Sequence, residues 1–194
     1  MQLSRRALEV APRLLGCLLR VGPVALRLTE VEAYEGADDP ASHAWRGPTP
    51  RTAVMFGPSG HLYVYLSYGV HAAVNIVCGP DQVASAVLLR AGAVVAGLET
   101  ARARRRPGTP DVALARGPGN LGACLGLRPS DSGTRIDQDR VELRRRHRVP
   151  PVSSGPRVGV SRAADRPWRF WVTGDPTVSA YRPSVRSGPS RPGQ

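Results

Sequence analysis

Between Ser4 and Gly16 the apolar residues Ala7, Leu8, Ala11, Leu14 and Leu15 recur at roughly helical spacing, which predicts a short amphipathic helix with Ser4 as N-cap and Gly16 as terminator. Pro12 is expected to kink or split it. Two strand-like runs, Cys17 to Val21 and Val24 to Tyr34, meet at Gly22-Pro23 and predict a β-hairpin. Glu35 to Pro58 then reads as a long polar loop rich in Pro, Gly and Asp, and loops of that length in a compact domain are more often functional than idle. Strands are predicted again at His61 to Tyr68 and Ala72 to Val77, joined through Gly69, and at Val83 to Leu89. Further on come a loop at Arg102 to Pro110, a short helix at Gly119 to Leu127, and short strands at Val141 to Leu143, Arg157 to Val160 and Phe170 to Thr173. Arg182 to Gln194 is almost all Pro, Ser, Gly and Arg, so a disordered tail is expected over 182–194. The sum is an α/β (α+β) fold: one compact domain over 1–181, built on a curved, mostly antiparallel sheet with flanking short helices.

Composition narrows the function. The chain has 194 residues, 41% of them apolar, enough for one domain with an ordinary core. Every one of its 27 basic residues is arginine, against 15 acids, for a net charge of +12. Without lysine there is no side-chain Schiff base, no Walker-A phosphate lysine and no pyridoxal-phosphate anchor. The positive surplus favours a polyanionic partner, most simply nucleic acid, although a GC-rich coding bias would leave the same composition. Arg102, Arg104, Arg105 and Arg106 form one basic patch and Arg144, Arg145, Arg146 and Arg148 another; each reads either as a binding surface or as a solvated loop. Cys17, Cys78 and Cys124 are isolated thiols, which excludes a four-thiolate zinc site and suits a reducing compartment. The four histidines have no metal-binding spacing, so no metal is expected. Ser4-Arg5-Arg6 resembles an export signal, but Glu9, Pro12 and Arg13 interrupt the apolar stretch it would need. The longest apolar run, Val83 to Leu98, is too short for a bilayer and carries Arg90. A soluble, cytoplasmic protein without a membrane partner is expected.

Three features stand out chemically. Five of the acids fall between Glu30 and Asp39, and strict alternation places Leu26, Leu28, Glu30, Glu32 and Tyr34 on one strand face. A carboxylate on a buried face needs a cation, hydrogen bonds or a raised pKa, and those conditions also make a general base. A twist or bulge that turns the strand end to solvent explains the pattern equally well. Four of the five tyrosines, Tyr34, Tyr63, Tyr65 and Tyr68, lie within one third of the chain. They suit base stacking or ordinary packing. Arg90 interrupts apolar sequence; it either pairs with Glu32 or Glu30 if buried, or points to water beyond a strand ending at Leu89. Gly117 to Gly122 satisfies G-x-G-x-x-G, but no βαβ pattern surrounds it, and it reads as a tight turn opening a helix.

Together, Thr-Glu-Val-Glu-Ala-Tyr (29 to 34), Ala-Ser-His-Ala (41 to 44), Arg-Gly-Pro-Thr-Pro-Arg (46 to 51), Met-Phe-Gly-Pro (55 to 58), Tyr-Val-Tyr-Leu-Ser-Tyr-Gly (63 to 69), Asn75 and Val-Leu-Leu-Arg (87 to 90) resemble the alkyladenine (3-methyladenine) DNA glycosylase family. Gly-Pro-Gly-Asn-Leu (117 to 121), Pro-Arg-Val-Gly-Val (156 to 160) and Arg-Pro-Trp-Arg-Phe (166 to 170) extend the likeness to near Val178. Thr52 and Ala72-Ala73 depart from it, the latter loosening packing behind the pocket. The resemblance implies a protruding β-hairpin and a base-flipping hydrolase of N-glycosyl bonds in alkylated double-stranded DNA, with no cofactor. By it, Glu32 is the general base, Arg90 helps hold the attacking water and keeps Glu32 ionised, and the carbonyl of His43 is a further water ligand. Tyr34, His43 and Tyr65 wall the flipped base, Asn75 crowds the purine 2-position, and Tyr68 wedges into the minor groove. Without a lysine amine such an enzyme leaves the abasic strand intact. It is expected to act as a monomer, nucleoid-associated when bound to DNA. A non-catalytic damaged-DNA or RNA binding module and a basic structural protein are the alternatives.

Overall fold

Strand β2 (Val24–Tyr34) organises the sheet because both of its edges are paired. In the computed structural model, which describes residues 2–138 and 140–183, β5 (Ala86–Ala96) runs antiparallel along one edge, from Ala25↔Ala96 to Tyr34↔Ala86. The other edge is shared by β1 (Leu18–Val21), opposite Val24 to Arg27, and β8 (Arg169–Val172), opposite Glu30 to Glu32. Beyond β5 lie β4 (His71–Val77) and then β3 (Leu62–Ser67); β1 carries β6 (Val141–Arg144), and β8 carries β7 (Val152–Gly155). Every pairing of these eight strands is antiparallel, and the sheet is curled. Among the described residues three short α-helices, α1 (Ala7–Leu14), α2 (Leu98–Ala103) and α3 (Pro118–Leu125), complete the α/β domain.

The main core lies on one face of this sheet. Leu26 and Leu28 of β2 are fully buried in it, but so are Val31 and Ala33, which have the opposite parity. The cause is a paired bulge: Leu28 faces Gly92 and Val31 faces Leu89, with Glu30 opposite Ala91, so Thr29 and Arg90 are each extra residues in the ladder. A one-residue insertion exchanges the two faces of a strand. Glu30, Glu32 and Tyr34 are therefore carried to the face opposite Leu26 and Leu28, correcting the uninterrupted alternation expected from the sequence. The new face is not solvent, because Glu30 and Glu32 are both completely buried.

Other expectations shift for local physical reasons. Helix α1 begins at Ala7, not Ser4, because its free amides find acceptors elsewhere: Ala7 N–H donates to Ser85 Oγ at 2.9 Å and Leu8 N–H to Glu35 Oε1 at 2.9 Å. The helix continues through Pro12. Arg146 donates to the carbonyls of Pro12, Arg13 and Leu15 at its C-terminal end, satisfying acceptors that the helix leaves open. β5 does not stop at Leu89 but continues through Arg90 to Ala96. Arg157 to Val160 is not a strand: Pro156 cannot donate to a ladder, and the Arg157 side chain is pulled inward. The strand in this region is β7, ahead of Pro156. Of the tail expected over 182–194, residues 184–194 lie outside the described residues.

α3 packs so closely on β4 that a Cβ on Gly122 would sit 2.1 Å from the carbonyl oxygen of Ala72. Packing at Ala72 is therefore tight, and the room left by the Ala72-Ala73 pair lies at Ala73, which lines the pocket described below. Replacing Gly122 by alanine should force α3 off the sheet and destabilise the protein by about 1–3 kcal/mol, read as a lower urea midpoint; an unchanged midpoint would contradict this packing.

Candidate active site

The face to which the bulge turns Glu32 encloses a cavity of about 630 Å³. Four strands contribute residues to it: Glu32 and Tyr34 from β2, Tyr63 and Tyr65 from β3, Ala73 and Asn75 from β4, and Leu88 and Arg90 from β5. The 35–58 loop supplies Ser42 and His43, the residues after β7 supply Val158 to Arg162, and Pro118 stands at the N-terminus of α3.

Glu32 is fully buried yet well provided with donors. Its Oε2 accepts from Tyr34 Oη–H at 2.9 Å, and its Oε1 accepts from the Val158 amide at 2.7 Å. Arg90 Nη1 lies 3.3 Å from Oε1, completing an ion pair inside the fold. Burial acts against the Arg90 charge, but Glu32 and Glu30 outweigh it and raise its pKa above the usual value. Burial and then the neighbouring Glu32 anion push the Tyr34 phenol well above its ordinary range, so it remains a donor. Tyr65 is pushed up to about 12, chiefly by burial.

The cavity walls are aromatic. Tyr63 and Tyr65 stack at 5.3 Å with their planes 30° apart, and His43 stands edge-on to Tyr65 at 4.6 Å. His43 Nδ1 is 3.2 Å from Tyr63 Oη. Desolvation and then the nearby Arg51 cation lower the His43 pKa, which favours the neutral imidazole. The Arg157 guanidinium packs on the Tyr34 ring at 4.6 Å. Asn75 is buried and donates through Nδ2 to the Tyr63 carbonyl at 3.0 Å, which fixes the orientation of its amide.

Tyr68 is built differently. It caps the β3–β4 hairpin, is 92% exposed and has φ of 50°, followed by Gly69 at 72°. Three residues, Tyr68, Gly69 and Val70, join the strands, and the Val70 amide donates to the Ser67 carbonyl at 3.2 Å, closing a turn whose two central residues both have positive φ. For a tyrosine that conformation costs roughly 1–2 kcal/mol. A large ring held in solvent at that cost, at the mouth of an aromatic cavity, has no packing explanation.

All the site residues expected from the sequence, Glu32, Arg90, His43, Tyr34, Tyr65, Asn75 and Tyr68, thus line one cavity. Several contributors had no assigned role. Val158 acts through its main-chain amide, which no side-chain pattern reveals. Asp39 and Arg157, both completely buried, form a two-pronged ion pair at 2.5 and 2.8 Å that ties the 35–58 loop to the 156–162 loop. Both basic patches are partly consumed within the fold: Arg102 pairs with Glu99 and Asp111, Arg144 with Glu142, and Arg104 donates to the Cys124 carbonyl. The three cysteines are buried, and burial holds Cys78 near 12 and Cys124 near 11. Among the described residues no group of three or more His, Cys, Asp or Glu is placed to hold a metal ion, and no helix is long and apolar enough to cross a membrane.

Residues 1–176 match the methylpurine-DNA glycosylase (MPG) family. A Cutibacterium acnes protein named as a 3-methyladenine DNA glycosylase is 54% identical over 188 residues, covering 93% of this chain and 98% of its own. A Nocardia farcinica protein of the same name is 55% identical over 186 residues, covering 91% of this chain and 88% of its own. The chain belongs to the methylpurine-DNA glycosylase family. It is an enzyme, a DNA glycosylase for alkylated bases, and its substrate is DNA.

Glu30 gives the site a pH signature. Its burial would raise the carboxyl pKa, but Arg90, the Ser179 amide and Arg169 together pull it below the usual 4.5. A carboxylate with a depressed folded-state pKa adds stability that is present above the unfolded value and lost as pH falls through the folded one. The urea midpoint should therefore drop more steeply from about pH 5 to about pH 3 in the native protein than in Glu30→Gln. Parallel curves would show that Glu30 is not preferentially ionised in the fold. Separately, Asp39→Ala leaves Arg157 buried without its counter-ion and should cost about 3–5 kcal/mol, read in the same unfolding assay; a loss under ~1 kcal/mol, typical of exposed pairs, would contradict the pairing.

Proposed function

We propose that the protein flips an alkylated purine out of duplex DNA into this cavity and hydrolyses its N-glycosidic bond with a water activated by Glu32. The observation that carries the reading is a buried carboxylate, balanced by Arg90, on the floor of an aromatic chamber open to the surface. A damaged base inside a duplex is unreachable, and rotating it out costs a few kcal/mol, least where alkylation has weakened its pairing. Tyr68 fills the vacated stack from the hairpin tip. Tyr34, Tyr65 and His43 wall the extruded ring; an alkylated purine that carries positive charge is attracted to electron-rich ring faces by about 0.5–2 kcal/mol. Asn75, its amide tied to the Tyr63 carbonyl, crowds the purine 2-position and disfavours normal guanine.

The bond between sugar C1′ and the base then breaks with its electron pair leaving on the base. Water adds at C1′ and gives its proton to Glu32. Arg90 and the carbonyl of His43 help to place that water. Because the nucleophile is water and no lysine is present, the product is an abasic site in an uncut strand. We take residues 1–181 as the glycosylase domain, acting as a monomer and without a cofactor.

Incubation with alkylated duplex should release free base and leave a strand that breaks only on alkali treatment; binding without base release would favour a capture module. Glu32→Gln should lower single-turnover excision by roughly 10²–10⁴-fold while damaged-DNA binding persists. Wild-type excision in that variant would remove Glu32 as the base. Borohydride should trap no enzyme–DNA adduct apart from one at the terminal amine. Tyr68→Ser should weaken retention of damaged duplex, and unchanged retention and kinetics would contradict its wedge role.

A further inference from the structure

Beside the Glu32–Arg90 pair lies a second buried carboxylate, Glu30, which the proposed chemistry does not use. Its Oε1 accepts from Arg90 Nε at 2.7 Å, from Arg169 Nε at 2.7 Å and from the Ser179 hydroxyl at 2.9 Å. Its Oε2 accepts from the Ser179 amide at 2.7 Å. Arg90 Nη2 donates to Ser179 Oγ at 3.2 Å, and Arg169 Nη2 to the Ser179 carbonyl at 2.8 Å. Ser179 belongs to a segment beyond β8 that is strapped along β2: Asp175 pairs with Arg27 at 2.9 Å, Thr177 meets Thr29 at 2.8 Å, and Ser179 reaches Glu30.

This arrangement fixes the guanidinium that faces the base. Arg90 has three nitrogens in one rigid plane, and Nε and Nη2 are anchored to Glu30 and Ser179. Anchoring two of them sets the third, and Nη1 is the nitrogen that lies 3.3 Å from Glu32. Charge points the same way. Arg90 and Arg169 are two cations, each 5% exposed, balanced by the two anions Glu30 and Glu32. Neutralising Glu30 would leave one buried cation unmatched and would draw Arg90 out of its present register.

We propose that Glu30 is a positioning residue for base excision, itself locked by Arg169 and by Ser179 of the strap after β8, and that it acts by holding Arg90 against Glu32. It rests on the reading of Glu32 as the base. Glu30 does not line the cavity; it determines where the Arg90 charge sits when the water attacks.

The test compares single-turnover excision from alkylated duplex with affinity for that duplex in the wild type, Glu30→Gln, Ser179→Ala and Glu32→Gln. Glu30→Gln, which keeps the shape and removes the charge, should slow excision about 10–100-fold, as small misplacements in an active site do, while the dissociation constant stays within about 2-fold. Ser179→Ala, which removes only the hydroxyl, should slow excision about 3–10-fold with the same sparing of affinity. Wild-type excision rates in Glu30→Gln, or rate and affinity falling together, overturn the proposal. Should Glu30→Gln fail to fold, Ser179→Ala decides, and a wild-type rate there overturns it. Loss of excision in Glu32→Gln together with wild-type rates in the other two variants fails Glu30 and leaves the base reading intact. Excision that survives Glu32→Gln but not Glu30→Gln would make Glu30 the base and end its positioning role.

Discussion

The site depends on a fault in a β-ladder. Without the paired bulge at Thr29 and Arg90, the carboxylates of Glu30 and Glu32 would point into the packed face that holds Leu26 and Leu28, where no cation and no solvent path await them. With it, two neighbouring strands change faces at the same level. The aliphatic side chains of Val31, Ala33, Val87 and Leu89 remain in the core, while Glu32, Tyr34, Leu88 and Arg90 are delivered together to the opposite side. Bulges recur next to active sites because they re-aim side chains without disturbing the rest of the sheet, and this one builds an acidic floor inside an otherwise ordinary antiparallel fold.

Once the carboxylates are turned, arginine supplies the charge that balances them. Arg90 and Arg169 balance the charge on the pocket side of β2. Arg157 pairs with Asp39, packs on Tyr34 and Trp168, and so ties the loop carrying His43 to the loop carrying the Val158 amide. The planar guanidinium suits these tasks because one group can engage a carboxylate edge-on and a ring face-on at once. The surplus of positive charge is thus not a uniform coat for nucleic acid. Several of the 27 arginines hold acids in an apolar interior, and the net charge of +12 left after all 15 acids are matched gives the molecule its attraction for a polyanion.

Much of this could be read from the chain, for reasons that differ by element. The β1–β2 and β3–β4 hairpins were legible because alternation and a glycine at the turn are local signals. The tyrosine cluster and Arg90 were legible as anomalies, and motif resemblance gave them roles. A bulge was weighed as an alternative to strict alternation, but with the strand end turned to solvent; its position and its buried outcome were not legible, because Thr29 and Arg90 have no composition that marks an extra residue. The start of α1 was missed because its capping groups, Ser85 and Glu35, come from distant sequence. Arg157 to Val160 looked like a strand because β-branched residues favour one; what the segment supplies instead is a buried cation and one amide, both visible only in three dimensions. Glu30 was seen as a partner for Arg90, but its lock by Ser179 joins residues 149 positions apart.

The central claim concerns where a flipped base comes to rest. It is tested most directly by a crystal structure of the protein bound to a duplex bearing one alkylated purine on a 2′-fluoro sugar, whose glycosidic bond resists hydrolysis. The account predicts the purine ring inside the aromatic chamber against Tyr34, Tyr65 and His43, Tyr68 in the vacated stack, and C1′ separated from the Glu32 carboxylate by a single water. A lesion still stacked in the duplex beneath a bound protein, or lodged in a pocket away from Glu32, would contradict it.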